Sequence, residues 1–269
     1  MRCRKGLSDM VLPESIRSLI KNEEYEENKV GMSGSGVWMF REKVLKFERF
    51  GEQTKAESAM LGWLRGKVPV PQILAEEIRE GVRFLLMSRV PGKMSCDEIY
   101  MNDPERLVKL LAKALRMLWA VDVAGCPVDN RLDRKLRQAE YCVENGLVDL
   151  ENVEPETFGE GGFRDPGDLL EWLKRNKPEE TPVLSHGDFC LPNIFLEGDA
   201  VSGFIDLGRC GIADKYQDIA LCYRSLCHNF DGTYGLSYPG FEPMMLFREL
   251  GIDPDWEKIR YYILLDELF

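Results

Sequence analysis

Apolar positions recur along this chain with two different periods, and the change from one to the other divides it. From Pro104 to Val121, Leu107, Leu110, Leu111, Ala114, Leu115 and Leu118 keep helical spacing, which predicts a long amphipathic helix. Gln53 to Arg65 behaves alike, with Met60, Leu61 and Leu64 three, four and seven residues after Glu57. Further helices are predicted over Pro13 to Asn22, where proline stands at the start, over Arg131 to Glu144, over Pro166 to Arg175 and from Gln217 to Cys227. Strand signals are shorter: Val37 to Phe40, Val44 to Phe47, and Arg83 to Met87, the last closed by Val90-Pro-Gly92. Val68-Pro-Val-Pro71 reads as a rigid extended connector. Glu151 to Gly162 and Asp231 to Phe241 lack periodicity and read as loops, the second before closing helices. The first ninety residues therefore mix strands with one good helix, and the remainder is mostly helical.

Late in the chain, Ile194-Phe-Leu196 and Val201-Ser-Gly-Phe-Ile205 flank the turn residues Glu197 to Ala200, a hairpin signal. The octapeptide His186-Gly-Asp-Phe-Cys-Leu-Pro-Asn193 precedes it, and Asp206 follows thirteen residues after Asn193. A hairpin returns its ends to neighbouring points, so Asn193 and Asp206 are expected to meet. An amide oxygen and a carboxylate are hard donors that hold Mg2+ while nucleotide phosphates and water complete an octahedron. Asp188, two residues after the histidine and five before the asparagine, matches the offsets of a kinase catalytic loop. It is left to orient an attacking hydroxyl and accept its proton. His-Gly-Asp by itself is short enough for any turn; the joint spacing with the hairpin is what points to phosphoryl transfer. His186 is expected to bond backbone near the loop rather than act as a base.

Phosphoryl transfer needs an upstream phosphate clamp. Val44-Leu-Lys46-Phe47 carries one cation on a buried strand, and Glu57 lies on the apolar stripe of the next predicted helix. A carboxylate there requires a partner, since stripping one from a buried ion pair costs about 3–5 kcal/mol. Lys46 is the natural one. Ahead of them, in Gly31-Met-Ser-Gly-Ser-Gly36, Ser33 and Gly34 would let backbone N–H groups approach phosphate oxygens. A kinase hinge would lie after Met87, with backbone groups of Ser88 and Val90 facing a purine edge.

Composition narrows the partners. A chain of 269 residues with 44% hydrophobic content forms a sizeable core. A formal charge of −11 argues against nucleic acid and anionic membranes and favours cationic small molecules. No apolar stretch approaches a transmembrane span, and Met1-Arg-Cys-Arg-Lys5 leads into no signal-peptide core. Eight scattered cysteines without a C-x-x-C pattern read as reduced thiols, so a cytoplasmic location is expected. Cys222, Cys227 and His228 lack a second ligand pair and read as core thiols beside a loop histidine rather than a zinc site.

The chain resembles the aminoglycoside 3′-phosphotransferases, kinase-fold enzymes of antibiotic resistance, over nearly its whole length. The resemblance rests on Ser185-His-Gly-Asp188 through Ile194, Ser202 through Arg209, Gly211-Ile-Ala-Asp214, Asp218-Ile-Ala220 and Ile259 through Phe269. It implies an α+β, protein-kinase-like two-lobe fold: a small β-rich N-lobe at residues 1–90 and a larger, mostly helical C-lobe at 91–269. It implies ATP, with GTP as the alternative, and Mg2+ as cofactors. Lys46 and Glu57 become the phosphate-orienting pair, Ser33 and Gly34 cover the phosphates, Asn193 and Asp206 bind the metal, and Asp188 is the catalytic base. Arg209, Glu267 and the Phe269 carboxylate fall on antibiotic-site positions, in a cleft where clustered carboxylates would concentrate a polycation.

Departures from the family pattern bear on the substrate. Leu191 stands where some relatives are acidic, and His228 and Asn229 replace an acidic pair. Glu154, Glu156 and Glu160 offer replacement charge. Arg209 has a second reading, as a bridge to Asp214 or Asp218. The resemblance implies transfer of the ATP γ-phosphate to an aminoglycoside hydroxyl, foremost the 3′-OH. A kinase of choline, homoserine or a sugar is the second reading, and a nucleotide-binding module without turnover the third.

Overall fold

The computed structural model describes residues 12–28 and 36–269. After the short helix α1 (Glu14–Leu19) come the strands β1 (Glu26–Asn28), β2 (Gly36–Met39) and β3 (Lys43–Arg49), then helix α2 (Glu52–Leu64). Strands β4 (Ile73–Arg79) and β5 (Val82–Ser88) complete an antiparallel sheet in the order β1-β2-β3-β5-β4. β3 and β5 are central. Their inward residues Leu45, Phe47, Phe84 and Leu86 pack with Ile16 and Ile20 into a small core. A fully buried leucine contributes about 1.5–3 kcal/mol, so this cluster fixes the register that places Lys46 opposite Leu85.

The second lobe begins with β6 (Lys93–Met94), α3 (Glu98–Met101), α4 (Pro104–Trp119), α5 (Leu132–Glu144) and α6 (Pro166–Arg175). It continues through β7 (Pro182–Ser185), β8 (Ile194–Glu197), β9 (Ala200–Phe204), β10 (Gly211–Asp214), α7 (Lys215–Asp231), α8 (Met244–Leu250) and α9 (Trp256–Asp266). Capping sets the helix starts. Asp103 accepts from the Arg106 N–H at 3.1 Å ahead of Pro104, and Asp165 from the Asp168 N–H at 2.9 Å ahead of Pro166. The predicted α4 stripe is buried throughout and forms the spine of the larger core, joined by α7 and α9. α7 begins two residues before the predicted start and runs four beyond Cys227, ending at Gly232 in a left-handed conformation. No helix among the described residues is long and apolar enough to cross a membrane.

Strands β1, β4, β6, β7 and β10 have no counterpart in the sequence reading. β4 is an edge strand whose Ile73, Leu74 and Ile78 are exposed, so it lacks the buried alternation that marks a strand.

Candidate active site

Two short antiparallel pairs position the catalytic loop. β7 pairs with β10, and β8 with β9, while the loop from His186 to Asn193 runs between β7 and β8. Gly187 sits in this loop at φ +81°, and a Cβ there would lie 1.9 Å from the Arg209 carbonyl oxygen. Only glycine permits that approach. The buried Asp218 carboxylate, on α7, accepts from the Ser185 hydroxyl at 2.8 Å and from the His186 and Gly187 N–H groups at 2.7 and 2.9 Å. His186 is fully buried. Its Nδ1 accepts from the Asp188 N–H at 3.3 Å, so Nε2 carries the ring proton and donates to the Ile205 carbonyl at 3.0 Å. The histidine thus ties the loop to the end of the hairpin.

The hairpin brings its ends together. The Ile205 N–H donates to the Asn193 carbonyl at 3.0 Å, immediately beside Asp206. The Asn193 side-chain nitrogen donates to both the Asp188 carbonyl and Asp188 Oδ2, each at 3.0 Å, and the Cys190 thiol donates to Asp188 Oδ1 at 3.1 Å. Asp206 lies in the left-handed region, at φ 58° and ψ 59°, which costs a non-glycine residue about 1–3 kcal/mol and recurs at functional sites. The Lys46 ammonium reaches Asp206 Oδ1 at 3.1 Å, both Glu57 oxygens at 3.4 Å and Glu48 at 3.4 Å. Burial alone would lower the Lys46 pKa, but the carboxylates of Glu57, Asp206 and Glu48 outweigh it and hold the ammonium above the usual lysine range. Burial would likewise raise the Asp206 carboxyl, and Lys46 outweighs it, so Asp206 stays ionised below its ordinary value.

These residues fit a divalent cation. With its nitrogen committed to Asp188, Asn193 presents its side-chain oxygen, and no donor among the described residues bonds that atom. Asp206 is ionised and half exposed. Two protein oxygens with room for phosphate and water suit Mg2+, which keeps several non-protein ligands.

At the candidate hinge, the Ser88 N–H is already committed to the Gln72 carbonyl at 2.9 Å. Of the two residues, only Val90 keeps an amide without a protein acceptor among the described residues. Ser33 and Gly34 lie outside the described residues.

A second charged cluster adjoins the catalytic loop. Arg209 pairs with Asp266 at 2.9 Å rather than with Asp214 or Asp218, and its guanidinium lies 5.6 Å from the Phe269 ring centroid. Arg224 bonds Asp266 and, at 3.0 Å, Glu267. Burial pushes the Glu267 carboxyl up to about 7, against the pull of the Glu154 N–H and Arg224. His228 Nε2 lies 3.0 Å from Glu154, and Tyr234 stacks on the His228 ring at 5.1 Å. Of the three loop glutamates named from sequence, Glu156 and Glu160 are exposed, without a hydrogen bond or ion pair among the described residues. Glu154 is the loop carboxylate that turns inward.

Comparison with known proteins agrees with this geometry. Residues 32–262 match the phosphotransferase enzyme family (APH). An aminoglycoside 3′-phosphotransferase of Enterococcus faecalis is 45% identical over 217 residues, covering 79% of this chain and 78% of that one. The chain belongs to the aminoglycoside 3′-phosphotransferase family. Among solved structures, an aminoglycoside-3′-phosphotransferase of type VIII superposes with a TM-score of 0.78 at 32% identity, covering 95% of this chain and 98% of that chain. An aminoglycoside phosphotransferase APH(3″)-Id from Streptomyces rimosus, in complex with ADP and streptomycin, superposes with a TM-score of 0.75 at 25% identity, covering 94% and 95%. The fold is therefore the kinase-like two-lobe fold, and the protein is a nucleotide-using phosphotransferase.

Sequence reasoning missed one central residue of this phosphotransferase. Arg83, the second residue of β5, is fully buried. It bonds Glu57, reaches Glu48 and the Ser58 hydroxyl at 2.7 Å each, and donates to the Thr54 carbonyl. Glu57 thus serves two cations, Lys46 on one side and Arg83 on the other. The available signal was an arginine at the head of an otherwise apolar strand, facing a helix that carries a carboxylate on its apolar stripe.

Proposed function

We propose that the protein transfers the γ-phosphate of ATP to the 3′-hydroxyl of an aminoglycoside, with Asp188, Asn193, Asp206 and Lys46 as its reacting centre. Two side-chain pairs, Asn193 with Asp188 and Lys46 with Asp206, brought beside each other by the backbone hydrogen bond from Ile205 to Asn193, are the observation that carries this reading. Asp188 orients the acceptor hydroxyl and takes its proton; Asn193 and the Cys190 thiol hold its carboxylate in place. Lys46, braced by Glu57, aims its charge at the nucleotide phosphates. Mg2+, held by Asn193 and Asp206, would neutralise charge developing on the phosphates. Residues 1–90 serve the nucleotide, with the Val90 amide toward the base. Residues 91–269 hold the metal and the acceptor.

Arg209, Glu267 and Phe269, with the loop carboxylates Glu154, Glu156 and Glu160, form the acceptor side. A phosphate on the antibiotic adds negative charge to a molecule whose RNA binding depends on positive charge, and resistance follows. The reaction belongs to the cytoplasm, where that target lies. A coupled ADP-release assay with kanamycin and neomycin beside choline and homoserine, with product regiochemistry read by NMR, tests the proposal. Turnover with the antibiotics and phosphate on the 3′-oxygen is expected. Turnover confined to the other acceptors, or none, would overturn it.

A further inference from the structure

Beside the proposed acceptor side lie a cavity and a buried lysine, Lys135, that the proposed reaction does not use. A cavity of about 730 Å³ lies between the first turn of α2, the face of α5 and the segment Gly208-Arg209. In a chain with a formal charge of −11, its wall carries Arg49, Arg134, Lys135 and Arg137, with Arg209 already paired to Asp266, against the carboxylates of Glu48, Glu52 and Phe269. Two of these carboxylates are occupied elsewhere, Glu48 by Arg83 at 2.7 Å and Glu52 by Lys55 at 2.8 Å.

Lys135 is the decisive member. It is 6% exposed, lines the cavity, and makes no hydrogen bond or ion pair among the described residues. Its stem is buried while its ammonium, not itself sealed from solvent, has no protein partner among them, which leaves it open to a counter-ion. Asp266, Asp218 and Asp188 act on it only at longer range; burial, joined by Arg209, outweighs them and pushes its pKa down to about 8. The start of α2 adds to the demand for negative charge. Its cap is Gly51, which has no side chain to accept from the free N–H groups of the first turn. The exposed ring of Tyr141 and the half-buried ring of Phe269 line the same cavity and suit an apolar body attached to the anion.

We infer that this cavity binds a phosphate group, free or carried on a small organic molecule, with Lys135 as the counter-charge and Arg134 and Arg137 at the rim. The cavity shares Arg209 and Phe269 with the proposed acceptor side, but the residues varied in its test, Arg134, Lys135 and Arg137, lie outside that reading, and the nucleotide site can be filled while the cavity is probed.

The test is calorimetric titration of the full-length protein, saturated with ADP and Mg2+, with inorganic phosphate and with phenyl phosphate. One saturable site is expected for each. Tighter binding of phenyl phosphate identifies an organic phosphate as the occupant, and equal binding identifies free phosphate. Lys135→Met should weaken binding by about tenfold or more, the loss of one charge-assisted hydrogen bond, without lowering the melting temperature. Arg137 is exposed, so Arg137→Gln leaves folding intact and should weaken binding severalfold. Absence of saturable binding to the wild type would overturn the site. Unchanged affinity in Arg137→Gln together with Arg134→Gln would do the same, even were Lys135→Met to misfold.

Discussion

The Lys46 ammonium lies 3.1 Å from the Asp206 carboxylate, joining a strand of the first lobe to the hairpin end of the second across 160 residues of chain. That contact holds Asp206 ionised. It also makes the choice of variant important, because Asp206 has a left-handed backbone and asparagine tolerates that region where alanine does not. Asp206→Asn is therefore expected to fold as the wild type does while losing Mg2+-dependent turnover. Titrating Mg2+ in the ADP-release assay checks this, and full activity at the wild-type Mg2+ concentration would refute the metal assignment.

Asp188 is held through both carboxylate oxygens, by Asn193 and by Cys190, at the mouth of a loop pinned by His186 and Asp218. Asp188→Asn keeps the size of the side chain and removes the proton acceptor. It should lower kcat by about 10²–10⁴. Nucleotide affinity, measured by displacement of a fluorescent ADP analogue, should stay within the wild-type range. Unchanged turnover removes Asp188 from the mechanism.

Arg83 shares Glu57 and Glu48 with Lys46, and it is the more deeply buried of the two cations. Arg83→Met would leave Glu57 buried with one partner instead of two. A destabilisation of about 3–5 kcal/mol is expected. Arg83→Lys should not restore it, because a single ammonium cannot bond Glu57, Glu48, the Ser58 hydroxyl and the Thr54 carbonyl at once. Urea midpoints of the two variants measure both effects, and wild-type midpoints would show that Arg83 is dispensable.

The contrast between Asp188 and Arg83 shows which parts of the site a sequence exposes. Asp188, Asn193 and Asp206 were legible because one hairpin joins them, so their spacing along the chain nearly fixes their spacing in the fold. Lys46 and Glu57 were legible because a carboxylate on an apolar helical stripe demands a cation, and the preceding strand offered one. Arg83 was hidden because its partners come from β3 and α2, at separations of 25 to 35 residues that no local pattern encodes. Glu154 could not be told from Glu156 and Glu160 because a loop without periodicity does not say which side chain turns inward. Strand β4 escaped for a related reason: its edge position frees it from the burial that makes a strand visible.

Glu267 supplies a pH dependence whose direction is fixed by its burial. Its carboxyl is raised from the ordinary 4.5 to about 7, so between those values the folded chain holds a proton that the unfolded chain has released. Stability from this group is therefore present at the acid end of the window and is lost as pH rises through about 7. Glu267→Gln mimics the protonated form and keeps an acceptor for the Glu154 N–H. The difference in urea midpoint between wild type and variant should favour the variant more strongly at pH 8 than at pH 5. A difference that does not change with pH would show that Glu267 is ionised throughout, bound by Arg224 more tightly than its burial allows.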